Sequence, residues 1–445
     1  MSQLNLAILL IVVSALVLFA LGRRFIYWIP LYSLIIDAMH AFFDQSKYIT
    51  YTRAVVLIFL FIMVFTRSTI KKNFGIFLFF IYMLLLLAYS PLPYNSLKML
   101  IIELSSIVML PLGFMFFKTR DDLTKLNRTM FWFILFWIGY VLYCTVFKIG
   151  GESSEKFGTM FYFGGFAVNG GLTVISFVIV LLPLIFQDNK QVRRRIILYA
   201  IVPLILLIVL MSLKRMALII IIAGYVYYMM RGPVKFRYRT LLYAAGAIII
   251  LLSFTAKFSD YLAVRYAERG ASRFQSNFYE QESRYYELLM VKKELLSFKD
   301  PNESLFGKGL GEITMDTDVD QERKIHIYYI YLMNSAGLLG LFLFMRIYWL
   351  ALRNFRHYSN MVKNQSLIIL KIMFFNLLVL FIISGFAGGL THITFRGLVF
   401  LYIGAIMGIY RNEAIFAPAV GPQRVFELDS QEGSPPEQID VPEPA

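Results

Sequence analysis

Uninterrupted apolar runs constrain this chain more than any other feature. "LNLAILLIVVSALVLFALG" occupies 4–22, "VISFVIVLLPLIF" 174–186 and "LILLIVLM" 204–211. A run of about 20 such residues matches the hydrocarbon thickness of a bilayer when helical. Inside lipid every backbone N–H and C=O needs a partner within the protein, so only helices and closed barrels span. Barrels read as short alternating segments, and these runs do not alternate. With 59% hydrophobic and 16% charged residues in 445, a soluble fold could not hide the apolar surface. The expected fold is an all-α polytopic membrane protein.

Spans are expected near 4–22, 25–43, 53–67, 74–90, 98–117, 131–148, 171–187, 196–211, 216–230, 240–254, 327–350, 366–385 and 392–410, about 12–13 in all. The first is read as a retained helix, because no small-residue cleavage site follows it and Arg23 and Arg24 do. Residues 1–410 form one membrane-embedded bundle. Residues 411–445, rich in Pro, Glu, Asp and Gln, are expected to be a disordered cytoplasmic tail. The single cysteine, Cys144, excludes an internal disulfide and reads as a small buried hydrophobe.

The net charge of +15 would suggest nucleic acid in a soluble protein. Here the cations sit in short loops, such as Arg67/Lys71/Lys72, Lys118/Arg120/Lys125/Arg128 and Arg193/Arg194/Arg195. That is an orientation signal, so no nucleic-acid partner is expected. With these loops in the cytoplasm, the long polar stretch 255–326 lies outside. The turn "SLKR" at 212–215 then places Lys214 and Arg215 outside, against the trend. Cations there either snorkel to lipid phosphates or bind an anionic ligand.

The long stretch is the one part of the chain set aside for water. "SRYYELLMVKKELLSF" at 283–298 has helical spacing, with Asp300-Pro301 as its stop. It reads as an amphipathic surface helix led by Arg284, with Arg265, Arg269 and Arg273 before it. "GKGLG" at 307–311 is not a nucleotide loop and reads as a tight turn through Gly309 and Gly311 that lets backbone approach closely. Asp316, Asp318, Asp320 and Glu322 imitate a calcium loop, but Gln321 and Ile327 stand where its glycine and bidentate glutamate belong. No metal site is assigned. His326, where the stretch meets the next span, is a proton acceptor suited to neutral pH, and His392 sits at another outer span end.

The order of these features resembles the O-antigen polymerase and O-antigen ligase superfamily. It runs "SLKRMALIIIIAG", two more spans, a long outer loop with an Arg-led helix, Gly-x-Gly-x-Gly, then His326 and "YLMNSAGLLG", over roughly residues 195–350. Two positions depart from the family pattern. Ile327 follows the histidine where the family often has Asn, and the tryptophan after the loop arginine is replaced by Tyr or Leu.

The resemblance implies a GT-C-like, metal-independent, inverting glycosyltransferase without cofactor. Its donor would be an undecaprenyl-diphosphate-linked glycan, its acceptor another glycan or lipid-linked unit, and its surroundings membrane lipids, with a chain-length regulator as a further partner. Arg215 and Arg284 would hold the diphosphate, and His326 would deprotonate the acceptor hydroxyl. Lys214, Arg273, Gly309, Gly311, Tyr328 and His392 are supporting candidates. A polymerase is the leading reading and a ligase the alternative. A lipid-linked glycan flippase is the alternative of another class. Lys371 is the clearest charge inside a span, and polar residues concentrate at the outer face instead, which favours surface chemistry over transport.

Overall fold

The computed structural model describes residues 3–42, scattered positions between 52 and 62, and then 75–90, 93–149, 161–164, 170–212, 214–232, 287–289, 291–310, 314–315, 323–362 and 364–416. The expected spans near 53–67 (in most of its length) and 240–254, Arg273, Arg284, Gly311, the acidic run and residues 417–445 lie outside them.

The chain is a polytopic helical membrane protein. Its helices are α1 (Gln3–Leu21), α2 (Phe25–Phe42), α3 (Ile76–Tyr89), α4 (Pro93–Ile107), α5 (Met109–Phe116), α6 (Arg120–Val146) and α7 (Gly171–Asp188). There follow α8 (Val192–Met211), α9 (Arg215–Arg231), α10 (Pro301–Phe306), α11 (Tyr328–Met361), α12 (Ile368–Phe386) and α13 (Ile393–Phe416). Among the described residues, six helical segments are long and apolar enough to cross a membrane: α4 with α5, α6, α7, α11, α12 and α13. A two-residue antiparallel ladder pairs β1 (Thr314–Met315) with β2 (Arg323–Lys324).

The boundaries differ from the sequence expectation where polar residues extend a helix. α6 begins at Arg120 rather than near 131, because a capping box precedes it. Thr119 Oγ1 accepts from the Asp122 N–H (3.3 Å), and Asp122 accepts from the Thr119 N–H (3.1 Å). These bonds satisfy donors that a helix start leaves open. α13 likewise runs past 410, to Phe416.

α13 is the axis of the bundle and is buried over almost its whole length. It meets α5 backbone to backbone. A β-carbon on Gly408 would stand 2.6 Å from the Phe114 carbonyl oxygen, and one on Gly113 would stand 2.7 Å from the Ala405 nitrogen. Gly404 and Gly408 form the small-xxx-small spacing that permits such contact between membrane helices. α7 is buried on nearly every side, as its uniformly apolar sequence requires. At one end of the bundle, Asp188 accepts from Arg120 Nη2 (2.8 Å) and Asn127 Nδ2 (2.6 Å), while Tyr402 donates to Asn127 Oδ1 (2.8 Å). This buried network ties α6, α7 and α13 together.

The polar stretch is not simply bathed in water. Asp300 starts a helix: its carboxylate caps the N–H groups of Asn302 (2.9 Å) and Glu303 (3.3 Å), with Pro301 in the first turn. That short helix, α10, packs against a break in α11 at Gly337 (φ 68°, ψ −174°). A β-carbon on Gly307 would lie 2.6 Å from the Ala336 nitrogen, and Lys308 N–H donates to the Asn334 carbonyl (2.8 Å). Tyr82 Oη donates to the Ala336 carbonyl (2.5 Å), and Ser90 Oγ to the Leu310 carbonyl (2.9 Å). Residues 301–310 are therefore docked into the bundle, with Ser304 and Leu310 fully buried.

Candidate functional site

The Gly388–His392 turn between α12 and α13 gathers several helix starts at the other end of the bundle. Gly388 is left-handed (φ 84°), and a β-carbon there would stand 2.7 Å from the His326 carbonyl oxygen. A β-carbon on Gly389 would stand 2.5 Å from Met216 Cε. His392 rests on Gly170, where a β-carbon would stand 2.6 Å from Nδ1. The entries to α7, α9 and α11 thus converge on the entry to α13. Helix starts carry partial positive charge, so this end favours anions. Met216 and His326 touch adjacent glycines, which brings the 212–215 turn to the end of the bundle that carries His326.

His326 is oriented by a carboxylate. Glu287 accepts from the backbone N–H groups of His326 (3.0 Å) and Ile327 (2.9 Å), and its Oε1 lies 3.2 Å from His326 Nδ1. The Glu287 side chain is 7% exposed and the His326 side chain 58% exposed. A buried carboxylate on Nδ1 turns Nε2 away and favours the tautomer in which Nδ1 carries the hydrogen and Nε2 accepts. That is the arrangement of a general base with its orienting group.

Glu287 was not singled out in the sequence, because the surface-helix reading says nothing about which polar residue meets the bundle. Leu288, Leu289 and Leu296 are exposed, while Glu287 and Val291 are buried. Helical spacing reveals two faces but not which of them meets the protein. The leucines are left for lipid, as in an amphipathic helix lying at the membrane surface.

Lys214 is the N-cap of α9 and Arg215 its first residue. Both are partly buried. Desolvation pushes the Lys214 ammonium down to about 8. The turn thus holds one permanent cation and one that titrates just above neutrality.

A second charged group lies deeper. Arg396 Nη1 contacts Glu103 Oε1 (3.1 Å) and Oε2 (2.9 Å), and Tyr328 Oη donates to Glu103 Oε2 (2.6 Å). The Arg396 guanidinium also covers the Tyr328 ring, 4.7 Å from its centroid. All three side chains are fully buried. This corrects the expectation about intramembrane charge. Lys371 is half-buried, and the fully buried pair is Glu103 with Arg396, both inside expected spans. Each is a lone charge in an apolar run, a pattern that marks it as needing a partner. The partner, 293 positions away, is not legible in one dimension.

Of the remaining candidates, Gly309 is left-handed (φ 103°) in the docked segment, Tyr328 belongs to the buried cluster, and His392 lines the glycine turn. Arg284, Arg273 and Gly311 lie outside the described residues, so their relation to His326 is not drawn. Among the described residues no group of three or more His, Cys, Asp or Glu side chains is arranged to hold a metal ion. The chain has no match among protein-family models, curated proteins or solved structures.

Proposed function

We propose that the chain is a membrane glycosyltransferase that polymerises diphosphate-linked lipid oligosaccharides into a surface polysaccharide at the outer face of the inner membrane. The observation that carries this reading is the Glu287–His326 pair: an exposed histidine whose Nδ1 faces a buried carboxylate, at the end of the bundle where Lys214 and Arg215 cap α9.

In the proposed reaction, His326 Nε2 takes the proton from an acceptor hydroxyl. The oxygen attacks the anomeric carbon from the side opposite the diphosphate, the anomeric C–O bond breaks, and configuration inverts. Negative charge develops on the departing diphosphate. Arg215 and Lys214, at a helix start, meet it, and Arg284 is assigned the same role by resemblance. Preorganised cations of this kind contribute about 2.7–4 kcal/mol each when they face developing charge.

Purified protein incubated with lipid-linked oligosaccharide alone tests the proposal. Laddered products support a polymerase. Product only after addition of lipid A–core points to the ligase. No product in either condition, with lipid-linked glycan crossing proteoliposomes instead, replaces the enzyme with a flippase. The buried Glu103–Arg396 pair is the observation that favours this last reading, because intramembrane charges often mark substrate pathways.

A further inference from the structure

Arg396 uses only part of its guanidinium. Nη1 is taken by Glu103, and one face lies over Tyr328. Nε and Nη2 have no hydrogen-bond partner among the described residues, although the side chain is fully buried. These two nitrogens share the edge of the guanidinium on which the N–H bonds run parallel, the fork that matches two oxygens of one oxyanion. A buried charged donor left unpaired is costly, so a retained empty fork calls for an occupant. Arg396 also lies one helical turn from the mouth of the candidate site, since its N–H donates to the His392 carbonyl (3.0 Å).

We infer that the Nε–Nη2 edge of Arg396 is a bidentate subsite for a phosphate group on a membrane lipid, entered from the His326–His392 end. Glu103 neutralises the guanidinium when the subsite is empty, and Tyr328 fixes both. The pair therefore does not repel ligand as a bare carboxylate would. It presents an oriented donor edge whose formal charge is already balanced. The phosphate belongs either to the diphosphate of the proposed lipid-linked donor, in which case the inference rests on the proposed function, or to the headgroup of a bilayer phospholipid.

The test is binding of farnesyl diphosphate, with farnesol as control, to the full chain in dodecyl maltoside micelles, which carry no phosphate. Wild type should bind the diphosphate and not the alcohol. Removing one charge alone could unfold the protein, so the informative variant replaces both: Arg396→Met with Glu103→Leu, whose apolar pair suits the bundle. It should elute and melt like wild type and bind about 10- to 100-fold more weakly, the loss of one charge-assisted fork. Arg396→Lys, which keeps the charge without the fork, should lose a similar factor.

Competition by phosphatidylglycerol added to the micelles assigns the subsite to headgroups, and its failure to compete assigns it to the donor. Binding within twofold of wild type in both variants overturns the inference, as does wild type that prefers farnesol equally. Glycan transfer at unchanged KM in the paired variant overturns the donor as occupant while leaving the transferase reading intact. Arg396-dependent binding in a chain that transfers nothing does the reverse.

Discussion

The Glu287 carboxylate holds His326 by both backbone and ring. It accepts from the His326 N–H at 3.0 Å and lies 3.2 Å from Nδ1 of the same residue. A third contact, from the Ile327 N–H at 2.9 Å, fixes the start of α11 beneath it. Three contacts from one buried group set both the position and the tautomer of an exposed imidazole.

His326→Ala should lower kcat of transfer about 10²–10⁴-fold, the usual contribution of a general base. Because the ring is 58% exposed, the change should alter unfolding free energy by only about 0.5 kcal/mol. Single-turnover kinetics and a melting curve in the same detergent check both halves. Equal losses of activity and stability would remove His326 from the chemistry.

Glu287→Gln should reduce kcat more than it changes KM. The amide keeps one acceptor oxygen but offers an N–H on the side where Nδ1 donates. An unchanged kcat would leave Glu287 with only a structural role at the start of α11.

Lys214 predicts a pH limit from the other side. Its ammonium is held down to about 8, so it is charged at pH 7 and mostly neutral at pH 9. Affinity for a diphosphate donor should therefore fall as pH rises through this range. Lys214→Arg, permanently charged, should flatten the fall. A binding curve with the same slope in both proteins would exclude Lys214 as a ligand.

Gly337→Ala should weaken the docking of residues 301–310. The position has φ 68°, and a β-carbon would stand 2.5 Å from the Phe306 nitrogen. Strain of this kind costs about 1–3 kcal/mol. The melting temperature should drop, and protease should cut near 301–310 sooner. Unchanged protection would mean that the segment is held elsewhere.

Charge removal at the buried pair should be non-additive. Glu103→Leu alone leaves a buried guanidinium without its carboxylate, a loss of about 3–5 kcal/mol. Adding Arg396→Met should recover most of that loss, because the apolar pair needs no desolvation. Melting curves of the two single variants and the double variant close the cycle.

Apolar run length determined the class and located the six helical segments long enough to cross a membrane among the described residues, because lipid forces each run to satisfy its own backbone. The same reading marked Arg215 and His326 as polar residues at span ends. It read 283–298 as an amphipathic surface helix, where periodicity shows two faces but not that Glu287 is the residue turned inward. It also set 301–310 in water, since a hydropathy window cannot register a docking surface made of glycine backbone at 307 and 337. Glu103 and Arg396 were passed over in favour of Lys371, and their pairing depends on α4 and α13 lying side by side. Burial class is set by local composition and is therefore written along the chain. Which carboxylate meets which cation is set by helix packing, and only the tertiary structure decided it.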